Sequence, residues 1–211
     1  MSKALDEITG HKVAGLTMDL MSKLRDGVIP VAHLESFLTM PVQERQKMFG
    51  TTSSEVFLKI ISGGETVKLD SVKGNVTIAD SKNVFTYIDG DFKNWKVNTS
   101  SDATPETRVD VYEMTKDATF TQMFGSLCSD LDTLCFTQHQ IVNFVTKHRN
   151  WLRTEGYGTF FLFKSGEQFF VAYVRFLGAG SLEVDVDRFE NPRVWYASPR
   201  HRLVAPQLST L

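Results

Sequence analysis

The sequence predicts an α+β fold: short N-terminal helices, a mainly antiparallel β-sheet, and one long helix packed on it. Three observations carry that expectation. Apolar residues recur at helical spacing in the first 50 residues, the period falls to two from Glu55, and Thr137 to Arg153 reads as an amphipathic helix set between strands. The expected organisation is an N-terminal helical unit, 1–50, and an α+β part, 51–211, within one compact domain.

Val13, Leu16, Leu20 and Leu24 share one face of a helix that ends before Gly27. Pro30 opens a second helix carrying Leu34, Phe37 and Leu38, and Pro41 and Gly50 bracket a third. From Glu55, Val56, Leu58 and Ile60 alternate with Phe57 and Lys59, and Gly63-Gly64 turns the chain back into Thr66 to Leu69, which predicts a meander. Val76 and Ile78, then Val84 to Ile88, continue the strand pattern up to the Asp89-Gly90 turn. Asn98 to Thr107 is polar, holds Pro105, and reads as a surface loop. A strand over Arg108 to Met114 precedes a helix with Phe120, Met123, Phe124 and Leu127 on one face.

Thr137 and Gln140 have the spacing of a capping box, and Ile141, Phe144, Val145, His148, Trp151 and Leu152 follow as a helical stripe. Hairpin strands then cover Thr159 to Phe163, Phe169 to Leu177 and Leu182 to Val186, with shorter strands near Val194 to Tyr196 and Leu203 to Val204. The expected core includes Phe144, Val145, Trp151, Phe161, Phe163, Phe170 and Val184.

Composition narrows the class. With 42% hydrophobic residues, 23% charged residues and 16 Phe among 211, the chain can bury a core and is not disordered. No apolar run approaches the roughly 20 residues of a membrane span, and the start MSKALDEITGHK lacks the features of a secretory signal, so a cytoplasmic protein without a membrane partner is expected. Two cysteines are too few for a disulfide scaffold and are read as thiols. Residues 1–140 hold 14 Lys/Arg against 19 Asp/Glu, net −5, and residues 141–211 hold 9 against 6, net +3. That basic end is too mild to identify a dedicated nucleic-acid binder.

Three constellations could carry chemistry. Cys128, Cys135, His139 and His148 are zinc-ligand types, but their spacing has no knuckle, and the two histidines fall on opposite sides of one helix. Cys135 and His139, at i and i+4, could form a nucleophile and base, yet Asp130 and Asp132 would raise the thiol's pKa. Glu183, Asp185 and Asp187 alternate with Leu182, Val184 and Val186, which predicts an acidic outer face on a strand. The glycine pairs lie between strands rather than before helices, so they are turns and not phosphate cradles. No cofactor, catalytic residue or metal ligand is expected.

A further constellation is the basic, aromatic C-terminus, where Arg193, Tyr196, Arg200 and Arg202 are the candidate contacts for single-stranded nucleic acid. Trp195 is expected in the core, with Arg193 facing solvent and the strand's acids pairing with arginines.

The stretches NWLRTEGYGTFFLFKSGEQFFVAYVRF and DRFENPRVWYASPRHRLVAPQ, with TYIDGDFKNW further upstream, resemble uncharacterised proteins of small-genome candidate-phylum bacteria. That resemblance implies a bacterial source and brings no function. The expected role is a non-enzymatic protein-binding or regulatory module, with the N-terminal helices as a separable docking element. The alternative is RNA or other single-stranded nucleic-acid binding through the C-terminal face.

Overall fold

A computed structural model describes residues 17–40, 56–63, 65–177 and 180–208. The chain divides into two units, Met1–Ser54 and Glu55–Leu211. In the first, helix α1 covers residues 17–25 and helix α2 covers Val31–Thr39. Gly27 follows α1 at a φ of +71°, where a Cβ would be strained, and Pro30 takes the extended N-cap position of α2. Leu20, Leu24, Leu34 and Phe37 are half-buried, and no residue of α2 is fully buried. Val42 to Phe49 of the expected third helix, and Val13 and Leu16 of the first, lie outside the described residues.

The second unit is α+β, with one sheet among the described residues. Its strands are β1 (Leu58–Ile60), β2 (Val67–Leu69), β3 (Tyr87–Ile88), β4 (Thr107–Met114), β5 (Gly158–Ser165), β6 (Gln168–Phe176), β7 (Leu182–Arg188) and β8 (Arg202–Pro206). They are ordered β1-β4-β8-β5-β6-β7-β3, with β2 also on β4. Pairing is antiparallel except for β5 with β8 and β3 with β7, which are parallel.

The meander expected at Gly63 does not form. β1 and β2 instead run along the same edge of β4, in registers from Leu58 opposite Met114 to Leu69 opposite Thr107. At the junction, Ile61 N–H and Ser62 N–H both donate to Val111 O, and Ser62 Oγ accepts from Val111 N–H. Two residues opposing one is a bulge, which bends the strand without reversing it. The other expected strand at Val76 to Ile78 is irregular, and Val84 to Ile88 contributes only the two residues of β3. Ile78 N–H is taken up by the Gln138 side chain, so a side chain replaces the missing ladder.

Both faces of the sheet are covered. Helices α3 (Asp91–Asn94), α4 (Phe120–Leu127) and α5 (Gln138–Lys147) supply the cover. Phe92, Ile141, Phe144 and Val145 pack with Phe161, Phe163, Phe170 and Val184 on one face. Phe120, Met123, Phe124, Leu134 and Trp195 pack with Phe160, Leu162 and Leu203 on the other. Successive β5 side chains therefore enter opposite cores, which explains its continuous apolar run.

The long helix is shorter than expected. α5 begins with the predicted capping box of Thr137 and Gln140 but ends at His148, whose φ of −118° and ψ of 42° leave the helix, and Arg149–Trp151 form a 3₁₀ turn. Trp151 is consequently half-buried at the margin of the first core rather than at its centre.

Candidate binding surface

Cys128, Cys135, His139 and His148 are not brought together: no group of three His, Cys, Asp or Glu suited to a metal occurs among the described residues. Cys128 and Cys135 are free thiols. Burial, with Asp132 adding to it, pushes the Cys135 thiol up to about 12, and its Sγ donates to Leu131 O at 3.4 Å. A group so held stays a neutral thiol at pH 7 and is a poor nucleophile. His148 Nε2 lies 2.8 Å from Lys68 O and must be its donor, since the carbonyl accepts.

His139 lines a cleft of about 500 Å³ together with Asp80. Burial lowers the imidazole's pKa. The Asp80 carboxylate accepts from Thr77 Oγ1 at 2.6 Å and from Asn98 Nδ2 at 3.4 Å, with no hydrogen bond to His139. A second cleft, about 420 Å³, is rich in Ser and Thr side chains, with Lys164 on its wall. Lys164 donates to Asp132, and the hydroxyls of Thr133 and Thr137 bond to neighbouring backbone. Those groups serve local structure.

The alternating acids on β7 behave as the strand period requires. Leu182, Val184 and Val186 are buried, and Arg175 Nη2 lies 3.0 Å from Glu183 and 2.9 Å from Asp185 on the other face. Burial raises the Asp185 carboxyl's pKa against the pull of Arg175. This is a cross-strand ion cluster in which one guanidinium serves two carboxylates.

The four candidate contacts at the C-terminus part company. Trp195 is buried, and its backbone pairs with Ala118 in a one-residue bridge. Arg193 stacks over the Trp195 ring at 4.2 Å from its centroid. Tyr196, next along the chain, is 68% exposed. Ala197 N–H is held by Asp117 Oδ1, and Arg200, at a φ of +53°, lies 3.7 Å from Glu113. Arg202 points to the opposite face of the sheet and donates to Asn150 O and Leu152 O, closing the end of the α5 region.

Two residues join this face that spacing could not reveal. Arg153 Nε donates to Pro199 O across 46 positions, and its guanidinium sits 5.5 Å from the Tyr157 ring centroid. Tyr157 in turn meets the edge of His201 at 5.9 Å. His201 is the buried hub: Nδ1 accepts from Gly158 N–H at 3.0 Å, and Phe160, Tyr173 and Trp195 surround the ring. Desolvation lowers its pKa to about 4, so it is neutral at pH 7. The outward result is a face bearing Arg153, Tyr157, Arg193, Tyr196 and Arg200, with Glu113, Asp117 and Glu155 interleaved. No helix among the described residues is long and apolar enough to cross a membrane. No family model, curated protein or solved structure matches the chain.

Proposed function

We propose that this chain is a non-enzymatic binding module that recognises another protein through the face carrying Arg153, Tyr157, Arg193, Tyr196 and Arg200. The observation that carries this reading is Tyr196, 68% exposed between a buried Trp195 and a backbone amide pinned by Asp117. A large amphipathic ring held on a fixed backbone loses little entropy on binding, and Tyr with Arg are the residue types that dominate protein interfaces. Interleaved carboxylates favour a mixed-charge protein surface over a polyphosphate. The contact lies on the second unit rather than on the N-terminal helices. The free thiols accord with a cytoplasmic setting, and the sequence resemblance supports a bacterial one.

A second reading, single-stranded nucleic acid at the same face, draws on the exposed Tyr196 between Arg193 and Arg200, which could stack a base and meet its phosphates. One experiment separates them. The full chain and its Arg193→Ala/Tyr196→Ala variant are purified with an affinity tag from the native source. One stoichiometric protein retained by the parent and lost by an equally stable variant supports the first reading, with Tyr196→Ala alone weakening that partner by about 2 kcal/mol, roughly thirtyfold. Nuclease-sensitive material released steeply by salt supports the second. A partner kept by the double variant places the contact elsewhere.

A further inference from the structure

A third cleft, about 460 Å³, lies where the turns over residues 78–84 meet β3 and the start of α3. Ala79 and Phe85, both buried, and half-buried Ile88 give it an apolar lining. Its polar groups divide into two kinds. Thr86 Oγ1 is engaged with Leu182 O, and the Asp89 carboxylate accepts from Asp91 N–H and Val186 N–H, so both face the fold. Lys82 and Lys93, by contrast, are exposed and make no hydrogen bond or ion pair among the described residues. Nearby Asp80 feels both ammonium groups, yet its own bonds run to Thr77 and Asn98.

A cleft of this size with an apolar wall can hold a small ligand, and rim groups that make no hydrogen bond within the fold set the ligand's charge. Here both are cations. We propose that this cleft binds a small organic anion with an apolar body, of the alkyl or aryl carboxylate class, with the carboxylate between Lys82 and Lys93 and the body against Phe85 and Ile88. The site is independent of the Tyr196 face. Neither lysine supports the core, so both can be replaced without unfolding the chain.

The test uses the full-length protein labelled with nitrogen-15 and titrated with octanoate, with octanol and acetate as probes lacking the charge or the apolar body. Octanoate should shift the amide signals of Ala79, Phe85, Ile88 and Gly90, and octanol and acetate should bind roughly tenfold more weakly or less. Lys82→Glu/Lys93→Glu should weaken octanoate by roughly tenfold or more at an unchanged melting temperature, because two attractions become repulsions. Shifts confined to other residues, equal binding by octanol, or undiminished octanoate binding by the double variant would each overturn the proposal. Lys82→Gln/Lys93→Gln, which removes charge without reversing it, should fall between parent and glutamate variant.

Discussion

His201 sits within the rings of Phe160, Tyr173 and Trp195, and its Nδ1 accepts a hydrogen bond from Gly158 N–H. Burial favours the neutral imidazole, so the folded protein takes up its proton near pH 4, whereas the unfolded chain does so near the ordinary 6.5. Between those values the unfolded state binds more protons, and stability falls as pH falls. The full difference amounts to about 3 kcal/mol, present above pH 6.5 and lost by pH 4. Denaturant titrations at pH 7.5 and 4.5 should show that loss in the parent and a smaller one in His201→Asn, whose amide oxygen can still accept from Gly158 without titrating. Equal losses in both proteins would remove His201 as the source. The sequence made Trp195 legible as core, since a large aromatic ring in a strand-like stretch packs inward while neighbouring charges face water. It gave no sign that His201 is the hub, because the rings around it come from three separate stretches of chain. Arg202 was equally hidden: its composition suggested a ligand contact, and only the fold shows its guanidinium engaged with Asn150 O and Leu152 O.

Among elements, α5 shows which end of a helix can be read from sequence. Its start is encoded locally: Thr137 Oγ1 accepts from Gln140 N–H, and Gln140 Oε1 accepts from Thr137 N–H. Thr137→Ala should therefore cost about 1 kcal/mol, measured as a lower midpoint in urea with an unchanged slope. Thr137→Ser should recover most of it, and a Thr137→Ala protein as stable as the parent would show that the cap is dispensable. The other end is set by tertiary contact. His148 turns out of the helix to donate to Lys68 O and stays 5.3 Å from the Phe144 ring, and a 3₁₀ turn then keeps Trp151 and Leu152 against the same core. Apolar periodicity survives that change of helix type, so the stripe reads straight through the break. β1 and β2 fail for a related reason. Gly63-Gly64 is a valid hairpin signal, but β4 is long enough to take both short strands in succession, and the bulge at Ser62 makes that possible.

At the scale of the molecule, the two-faced sheet decides which part of the chain can stand alone. Among the described residues, the two buried clusters run from Leu58 to Ala205, and the central strand β5 contributes alternate side chains to both. These residues all belong to the second compact unit, Glu55–Leu211. The helices of the first unit differ in kind: α2 buries none of its residues, and helices this short are marginal in water without a packed face. Residues 55–211 should thus fold independently, with a cooperative urea transition, well-dispersed amide signals, and a midpoint close to that of the whole chain. The isolated segment 17–40, which holds α1 and α2, should show little helix by circular dichroism at low concentration. A truncated 55–211 protein that lost its cooperative transition would mean that the earlier residues complete the second unit's core. A preserved transition would let binding at the Tyr196 face and at the Lys82 and Lys93 cleft be measured on that unit alone, where a loss of affinity could be assigned to the face and not to the fold.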